Sequence, residues 1–470
     1  MFIIILKVIY YMIHCDYVIV GCGPCGMLLS LMLAHKKKRV CIIESNNYIG
    51  GCWNMDKVDN MYIENSPKII GNYNYFEQLL NILHLKPEQQ YNPYAEAKVY
   101  NKFNSIFIKS LTYHERFVFI QDFVIYNLGY GNKNLTIEEW MKMHKFSKLG
   151  YKSIRKLAIL LANVPERFSV LSFFKFFSND QVKTLRGNIL KHDCLWINNF
   201  LEYIANSNKI QLYLNHDLVR IQSNDHKVFK VIVCDKLLNT NKIFKASEHY
   251  VLCVPPLNLY NIVKNSNQYI QNNWMDFATF KTWSFKSSYT GFGFQLHFNS
   301  KQRDISDFFW ACKGEWNIVL LDKSIPDENI YSWSCVIIDL DKQSTNINKS
   351  ANQCTYNEVI AEALFQLESP QPYAITSYNG LYYDNGSWKS KDSAFCHNCE
   401  YFNNNGKIRN LTSLGSHTLN SISTMETSLE SVVKFSNKHN INSIIQTKIS
   451  YNLVVFMFVI FIIIINKLKV

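Results

Sequence analysis

The stretch Asp16–Trp53, DYVIVGCGPCGMLLSLMLAHKKKRVCIIESNNYIGGCW, decides how the rest of the chain is read. Tyr17 to Val20 form a short aromatic and β-branched run suited to a strand buried on both faces. Gly21, Gly23 and Gly26 follow in the spacing GxGxxG. The first glycine permits a tight turn, the second lets a pyrophosphate approach the backbone, and the third lets a helix pack closely on the strand. Met27 to Ala34 are good helix formers, and the N-terminus of that helix offers N–H groups and the positive end of a dipole to phosphate. Val40 to Ile43 make a second strand ending at Glu44, where a carboxylate can accept both hydroxyl protons of an adenosine ribose. A lone glycine fingerprint has little specificity. Flanked by two strands, a helix and a spaced acid, it predicts a dinucleotide site in an α/β, Rossmann-like domain.

The same loop carries a competing motif. Cys22-Gly23-Pro24-Cys25 is the CxxC of thioredoxin-type redox centres, and a helix N-terminus lowers a thiol pKa. Such a turn needs neither the flanking glycines nor the acid closing the next strand. In the simpler reading, two small cysteines fill the variable positions of the fingerprint. The 13 cysteines are odd in number and lack a disulfide-scaffold spacing, which fits a reducing compartment better than secretion. Cys396-His-Asn-Cys399 is a second CxxC, but joining it to Cys22 and Cys25 around zinc would spoil the phosphate loop. No metal site is expected.

With 470 residues the chain can hold two or three domains and a large core, and 48% hydrophobic with 18% charged residues is a globular composition. The net charge of +12 accompanies an abundance of Asn, Ile, Tyr and Phe, the residues an AT-rich gene encodes. It is therefore discounted as a sign of an anionic partner. Lys36 to Arg39 falls between helix and strand, where a solvated loop is expected, and no basic stripe with interleaved aromatics predicts nucleic-acid binding.

Both ends are apolar. Met1 to Ile13 lacks the basic start and cleavage site of a signal peptide, and Met12 is a candidate start. Residues 449–466 predict a C-terminal membrane anchor behind a polar linker at 437–448. The run from Ile449 to Ile465 spans about 25 Å as a helix, a little under the ~20 residues usual for a bilayer. Lys448, Lys467 and Lys469 flank it and can snorkel to the interface. The expected localisation is tail-anchor-like, on a membrane with the folded domains facing the cytoplasm.

Between these ends, residues 60–70 read as extended and residues 72–86 as a helix through Phe76, Leu79, Leu80 and Leu83. Short aromatic strands are expected from 91 to 126, including Phe103–Ile108 and Phe117–Ile120. Residues 135–185 read as helical, opened by a cap at Thr136 and Glu139, with Trp140, Met143 and Phe146 on one face. A helix at Trp196–Ala205 and strands at Ile210–Leu214, Asp217–Ile221, Val228–Cys234 and Tyr250–Val254 would finish the nucleotide sheet. Alternating strands at Gly293–Phe298 and Trp333–Ile338 and a helix at Tyr356–Leu367 follow. No second glycine fingerprint occurs.

Four patches of this sequence resemble the flavin-dependent amine oxidase superfamily, in particular the amine-oxidase-like flavoproteins of large DNA viruses. They are DYVIVGCGPCG with Glu44 and IGGCW, NHDLVRI at 215–221, YVLCVPPLNL at 250–259, and IRNLTSLGSHT with TMETSLESVV within 408–433. The resemblance covers about residues 15 to 436 and implies two domains. A Rossmann-like FAD-binding domain is assembled from 14–71, 191–260 and 381–436, and an α+β substrate domain from 72–190 and 261–380. It implies FAD held non-covalently, since the neighbours of Cys396 do not match a covalent flavin motif. Gly21, Gly23 and Gly26 match the pyrophosphate turn, Glu44 the ribose ligand, and Gly50 and Gly51 the double glycine beside the diphosphate, with Cys52 and Trp53 adjoining. Val219 matches the residue whose backbone meets the adenine, Gly415 and Ser416 the late FAD motif, and Leu429 the start of the last helix, facing the flavin ring.

Departures accompany the match. Cys52 replaces an arginine, His417 an acid, and Ser428 an aromatic cage residue, while Lys286 is a weak catalytic candidate for the lysine that positions a water at flavin N5. Trp53, Trp388 and Tyr383 are pocket candidates. The resemblance implies an FAD-dependent oxidoreductase that takes a hydride equivalent from a C–H next to nitrogen and passes electrons to oxygen, with a small amine as substrate. Two alternatives stay open: a flavin-binding structural or interaction protein without turnover, and a flavin monooxygenase, to which GGCW at 50–53 is similar. A viral origin would place the membrane in the host cell or virion. Substrate identity and oligomeric state are not set by the sequence.

Overall fold

A computed structural model describes residues 12–59, 61–64, 68–70, 73–93, 110–178, 188–190, 194–288, 291–302, 314–378, 380–391, 402, 406–419, 423–441 and 444–446. The expected anchor at 449–466, the strand at Phe103–Ile108, and Cys396 with Cys399 lie outside the described residues. Among the described residues no helix is long and apolar enough to cross a membrane.

The run Tyr17–Val20 is the inner half of a longer strand, β1 (Met12–Val20). Helix α1 (Pro24–His35) follows, and residues Cys25 to Ala34 are buried on every side, as an all-apolar helix requires. Strand β2 (Val40–Ile43) is buried throughout. Helix α2 (Asn74–Ile82) buries Phe76, Leu79 and Leu80, in the spacing read from the sequence.

The next block corrects two expectations. Phe117–Ile120 is no strand but part of α3 (Tyr113–Asn127). A reciprocal cap starts this helix: Glu115 N donates to Thr112 Oγ1 at 3.2 Å, and Thr112 N donates to Glu115 Oε2 at 2.7 Å. Val118, Phe119, Asp122, Phe123 and Tyr126 then form its buried face, so cap and packing override the β-propensity of the aromatics. In α4 (Ile137–Met143) the Thr136–Glu139 cap forms as expected, but the buried residues are Ile137, Trp140 and Met141. Met143 is exposed, and Phe146 returns beyond the helix end to meet Trp140 at 4.8 Å between ring centres. Helices α5 (Lys148–Leu160) and α6 (Val170–Ser178) complete the block, and Phe174 packs edge-on to Phe119, Phe123 and Trp140.

The chain then returns through α7 (Leu195–Asn206), β3 (Ile210–Tyr213), β4 (His216–Ser223), β5 (Val228–Asp235) and β6 (Thr240–Leu252). The nucleotide sheet has the order β3-β2-β1-β6-β5-β4, with β1, β2, β3 and β6 parallel. Helices α8 (Pro256–Lys264) and α9 (Phe277–Lys286) follow. The sequence placed 261–286 with the substrate domain; Ile262, Val263, Phe280 and Trp283 pack in one cluster with Val18, Val20 and Leu252 of the nucleotide sheet.

A second sheet contains β7 (Phe292–Phe298), β8 (Val319–Asp322), β9 (Tyr331–Ile337) and, beyond α10 (Tyr356–Leu367), β10 (Ala374–Ser377). Its order is β8-β9-β7-β10. The alternation read from the sequence is present: Phe292, Phe294, Leu296 and Phe298 join Trp333 and Cys335 against α10. Among the intervening residues Gln295, His297, Ser332 and Ser334 are polar and equally buried, while Val336 packs with Val319 and Ile159. Finally β11 (Leu411–Ser413) pairs in parallel with β6, and α11 (Met425–Lys438) lies against α1 through Leu429, Val432 and Val433.

Core position separates two phenylalanines. Phe294→Ala is expected to lower stability by about 3–5 kcal/mol in chemical denaturation. Phe365→Ala, on the exposed side of α10, should stay within about 0.5 kcal/mol of the unaltered protein.

Candidate functional site

The site grows from the turn between β1 and α1. Gly21 has φ +95°, and a Cβ there would lie 2.6 Å from Cys253 O. A Cβ on Gly26 would meet Gly21 O at 2.1 Å. These two glycines answer to the protein's own backbone. Gly23 does not: no described atom lies within 4 Å of its would-be Cβ, which leaves open space where the fingerprint calls for a pyrophosphate. Gly23 precedes the first residue of α1, so the helix N-terminus faces the same space.

Glu44 is buried at the end of β2. Its Oε2 accepts Cys22 N at 2.8 Å and its Oε1 accepts Asn46 N at 2.9 Å, so the carboxylate braces the turn. Each carboxylate oxygen accepts more than one hydrogen bond, so ribose hydroxyls remain compatible with this brace. The double-glycine loop closes over the turn, with Gly50 N donating to Cys22 O at 2.8 Å. Gly50 and Gly51 have φ +98° and +56°, and the would-be Cβ of Gly51 lies 3.6 Å from Gly23 Cα. Cys52 and Trp53 sit half-buried in the short turn that follows, with Trp53 packed on the α1 core.

The late segment reaches the same place. Gly415 N donates to Ser431 Oγ at 3.0 Å, Ser416 N donates to Ser428 Oγ at 3.2 Å, and Cys25 Sγ donates to Ser428 O at 3.2 Å. Thus α1, the Gly415–Ser416 turn and α11 are tied together across some 400 residues of chain, 403 between Cys25 and Ser428. The helix begins at Met425, capped by Thr424. Leu429, matched by resemblance to the helix start, therefore lies a turn inside with its side chain wholly in the core. Sequence reasoning missed Ser431; the Ser428–Ser431 spacing, which puts two hydroxyls on one helix face, was the available signal.

Val219 lies outside the pairing register of β4, where Leu218 and Arg220 oppose the consecutive residues Val233 and Ile232. It is the extra residue of a β-bulge, which frees backbone groups from the ladder. His216 N donates to Glu44 O at 2.9 Å, so β4 begins beside the ribose candidate. His417 turns inward: Ser413 Oγ lies 3.0 Å from its Nε2, Trp283 and Phe402 flank its ring, and burial pushes its pKa down to about 3. It is a neutral core histidine. Lys286 is exposed at the end of α9. Trp388 packs on Phe292, on the α10 side of the second sheet, and Tyr383 lies against Trp388. The two therefore sit apart from Trp53.

Burial decides the thiol question. It pushes the Cys22 pKa up and that of Cys25 up to about 12, against the thiolate that disulfide exchange requires. Glu426 is the site's other displaced group. Burial raises its pKa to about 8, although Tyr75 N and Phe76 N donate to it at 2.7 and 3.1 Å and favour the anion.

Two outcomes follow for this geometry. Gly26→Ala is expected to cost about 3 kcal/mol or more, because its methyl meets a carbonyl that cannot retreat. Glu426 binds its proton more tightly folded than unfolded, so its contribution is full below its ordinary pKa of 4.5 and is lost as pH rises through about 8. The thermal midpoint should fall between those values, and Glu426→Gln should flatten that fall.

The family described as NAD(P)-binding Rossmann-like domain matches residues 19–84. No curated protein matches the chain. Among solved structures, putrescine oxidase bound to putrescine superposes with a TM-score of 0.60 at 12% identity, covering 92% of this chain and 100% of that one. Cyclohexylamine oxidase from Brevibacterium oxydans gives 0.61 at 13%, covering 91% and 99%. An oxidoreductase from Methanosarcina mazei gives 0.58 at 13%, covering 90% and 99%. At such identities the likeness establishes that this chain shares its fold with these proteins.

Proposed function

We propose that this chain is an FAD-dependent oxidoreductase of the amine oxidase type. The observation that carries the reading is that the Gly50–Gly51 loop and the Gly415–Ser416 turn with α11 are both tied to the glycine turn and the first turn of α1, beside the open space at Gly23. A nicotinamide domain needs the glycine turn alone. An FAD site needs all three, because the longer cofactor must also be held at its flavin end.

In this reading Gly23 and the α1 N-terminus receive the diphosphate, with Gly51 closing from the other side. Glu44 accepts the ribose hydroxyls and the bulged backbone at Val219 meets the adenine. The N-terminus of α11 directs its positive dipole end to the ring, favouring the negative charge of the reduced state. FAD supplies the acceptor for a hydride equivalent from a C–H next to nitrogen, and oxygen takes the electrons onward. The protein's task is orientation, exclusion of water and charge. Retention without a covalent link, kinship with viral flavoproteins and a tail anchor at 449–466 belong to the same proposal and rest on the sequence patches and on the composition of that tail.

A specific observation favours the second reading, a flavin-binding protein without turnover. Ser428, at the position matched to an aromatic cage residue, uses its hydroxyl to hold the Gly415–Ser416 turn.

The purified full-length chain should be yellow and should release FAD on acid precipitation. Gly23→Ala should fold and lose the colour, since its methyl displaces nothing but the phosphate. Amines that bleach the bound flavin without air and yield peroxide in air support the oxidase; a yellow protein that no amine reduces supports the second reading. A colourless, folded chain sinks both.

A further inference from the structure

Helix α3 is apolar on two opposite faces. Val118, Phe119, Phe123 and Tyr126 fill the core of the helical block. Tyr113, Phe117, Ile120, Val124 and Leu128 recur at steps of four, three, four and four residues, which places them in one stripe on the other side. Tyr113 is 88% exposed and Phe117 66%, Ile120 and Leu128 are exposed as well, and Val124 is half-buried. A surface helix ordinarily turns one apolar face to its core and a polar one to water. A second apolar face that runs the length of the helix marks a surface that meets something apolar.

The surroundings of the stripe are basic. Both acids of α3 turn inward: Glu115 accepts Thr112 N and Ser147 N at 2.7 and 2.5 Å, and Asp122 accepts Trp140 Nε1 at 2.6 Å. Arg116 stays beside the stripe, its guanidinium 5.3 Å from the centre of the Tyr113 ring and its Nε donating to Leu111 O at 2.9 Å. Because Glu115 holds Ser147, the first turn of α5 lies against the first turn of α3 and brings Lys148 and Leu149, both exposed, to that end. Tyr130 and Lys133, also exposed, follow the other end. From Leu111 to Leu160 the chain has eight lysines and arginines against four acids. The two acids outside α3 are engaged as well, Glu138 with Lys142 and Glu139 in the cap at Thr136. The overall charge follows composition; this local imbalance comes from where the acids point.

Two occupants compete for such a face. A second copy laying its own α3 along the stripe would cover a strip about 24 Å long and about 10 Å wide, roughly 240 Å² a side against about 800 Å² in a standard interface. It would also bring two basic rims together. A bilayer surface has neither defect. The stripe enters the boundary between headgroups and acyl chains, the tyrosines at its ends sit at headgroup level, and Arg116, Lys133 and Lys148 meet anionic headgroups. We propose that the outer face of α3 is a membrane-contacting surface that lies flat on a bilayer carrying anionic lipid. It depends neither on the flavin reading nor on the tail at 449–466, since none of its residues belongs to either.

The test uses the purified full chain and vesicles of phosphatidylcholine with about 30% phosphatidylserine, their acyl chains brominated to quench tryptophan. Phe117→Trp places a fluorophore on the stripe, and Phe365→Trp, on the exposed side of α10, is the control. The fluorescence added by Phe117→Trp should fall by about half or more on these vesicles, while that added by Phe365→Trp stays constant. Without phosphatidylserine the quenching should be several-fold weaker at the same lipid concentration. If Phe117→Trp does not fold, Tyr113→Trp takes its place. A chain that stays off the vesicles overturns the proposal, as does quenching indifferent to phosphatidylserine. A chain that sediments with the vesicles while Phe117→Trp stays bright overturns it too, and leaves the tail as the contact. A dimer that Phe117→Gln with Ile120→Gln dissociates, with no quenching on vesicles, assigns the face to a second copy. A lower thermal midpoint of that double variant, again with no quenching, assigns it to another segment of this chain.

Discussion

Everything near the cofactor space depends on one close approach, between the carbonyl of Gly21 and the Cα of Gly26. With a Cβ position only 2.1 Å from that oxygen, no other residue lets α1 lie so near the end of β1. The Glu44 carboxylate holds the turn through Cys22 N, Gly50 N binds Cys22 O, and Cys25 Sγ reaches Ser428 O on α11. Each of these ties is anchored on the residue that follows Gly21 or on the first turn of α1. A shift of the turn by an ångström would release all of them.

The variable positions of the glycine turn and the departures at His417 and Ser428 have physical roles of their own. Cys22 and Cys25 are small enough to be buried beside the turn, and burial keeps them as thiols. His417 fills core volume between Trp283 and Phe402, and Ser428 secures a loop. None of these positions presents a charge toward the open space at Gly23.

Much of the nucleotide half was legible in the sequence because local rules act there. Glycine spacing, β-branched runs and the spaced acid each fix a short-range geometry, and the helix expected at Tyr356–Leu367 forms with those bounds behind a Thr355–Glu358 cap. Phe117–Ile120 was misread because aromatic content favours strands, while the deciding forces were a cap three residues long and packing on Phe174, far along the chain. Leu429 was misplaced by one turn because the cap at Thr424 was not weighed.

The central claim is that a single glycine turn, closed by two distant segments, holds FAD and not a nicotinamide dinucleotide. Calorimetric titration of the flavin-stripped chain with FAD and with NADPH tests it most directly. The account predicts saturation at one FAD per chain and no heat of binding for NADPH. Binding of NADPH with none of FAD would contradict it.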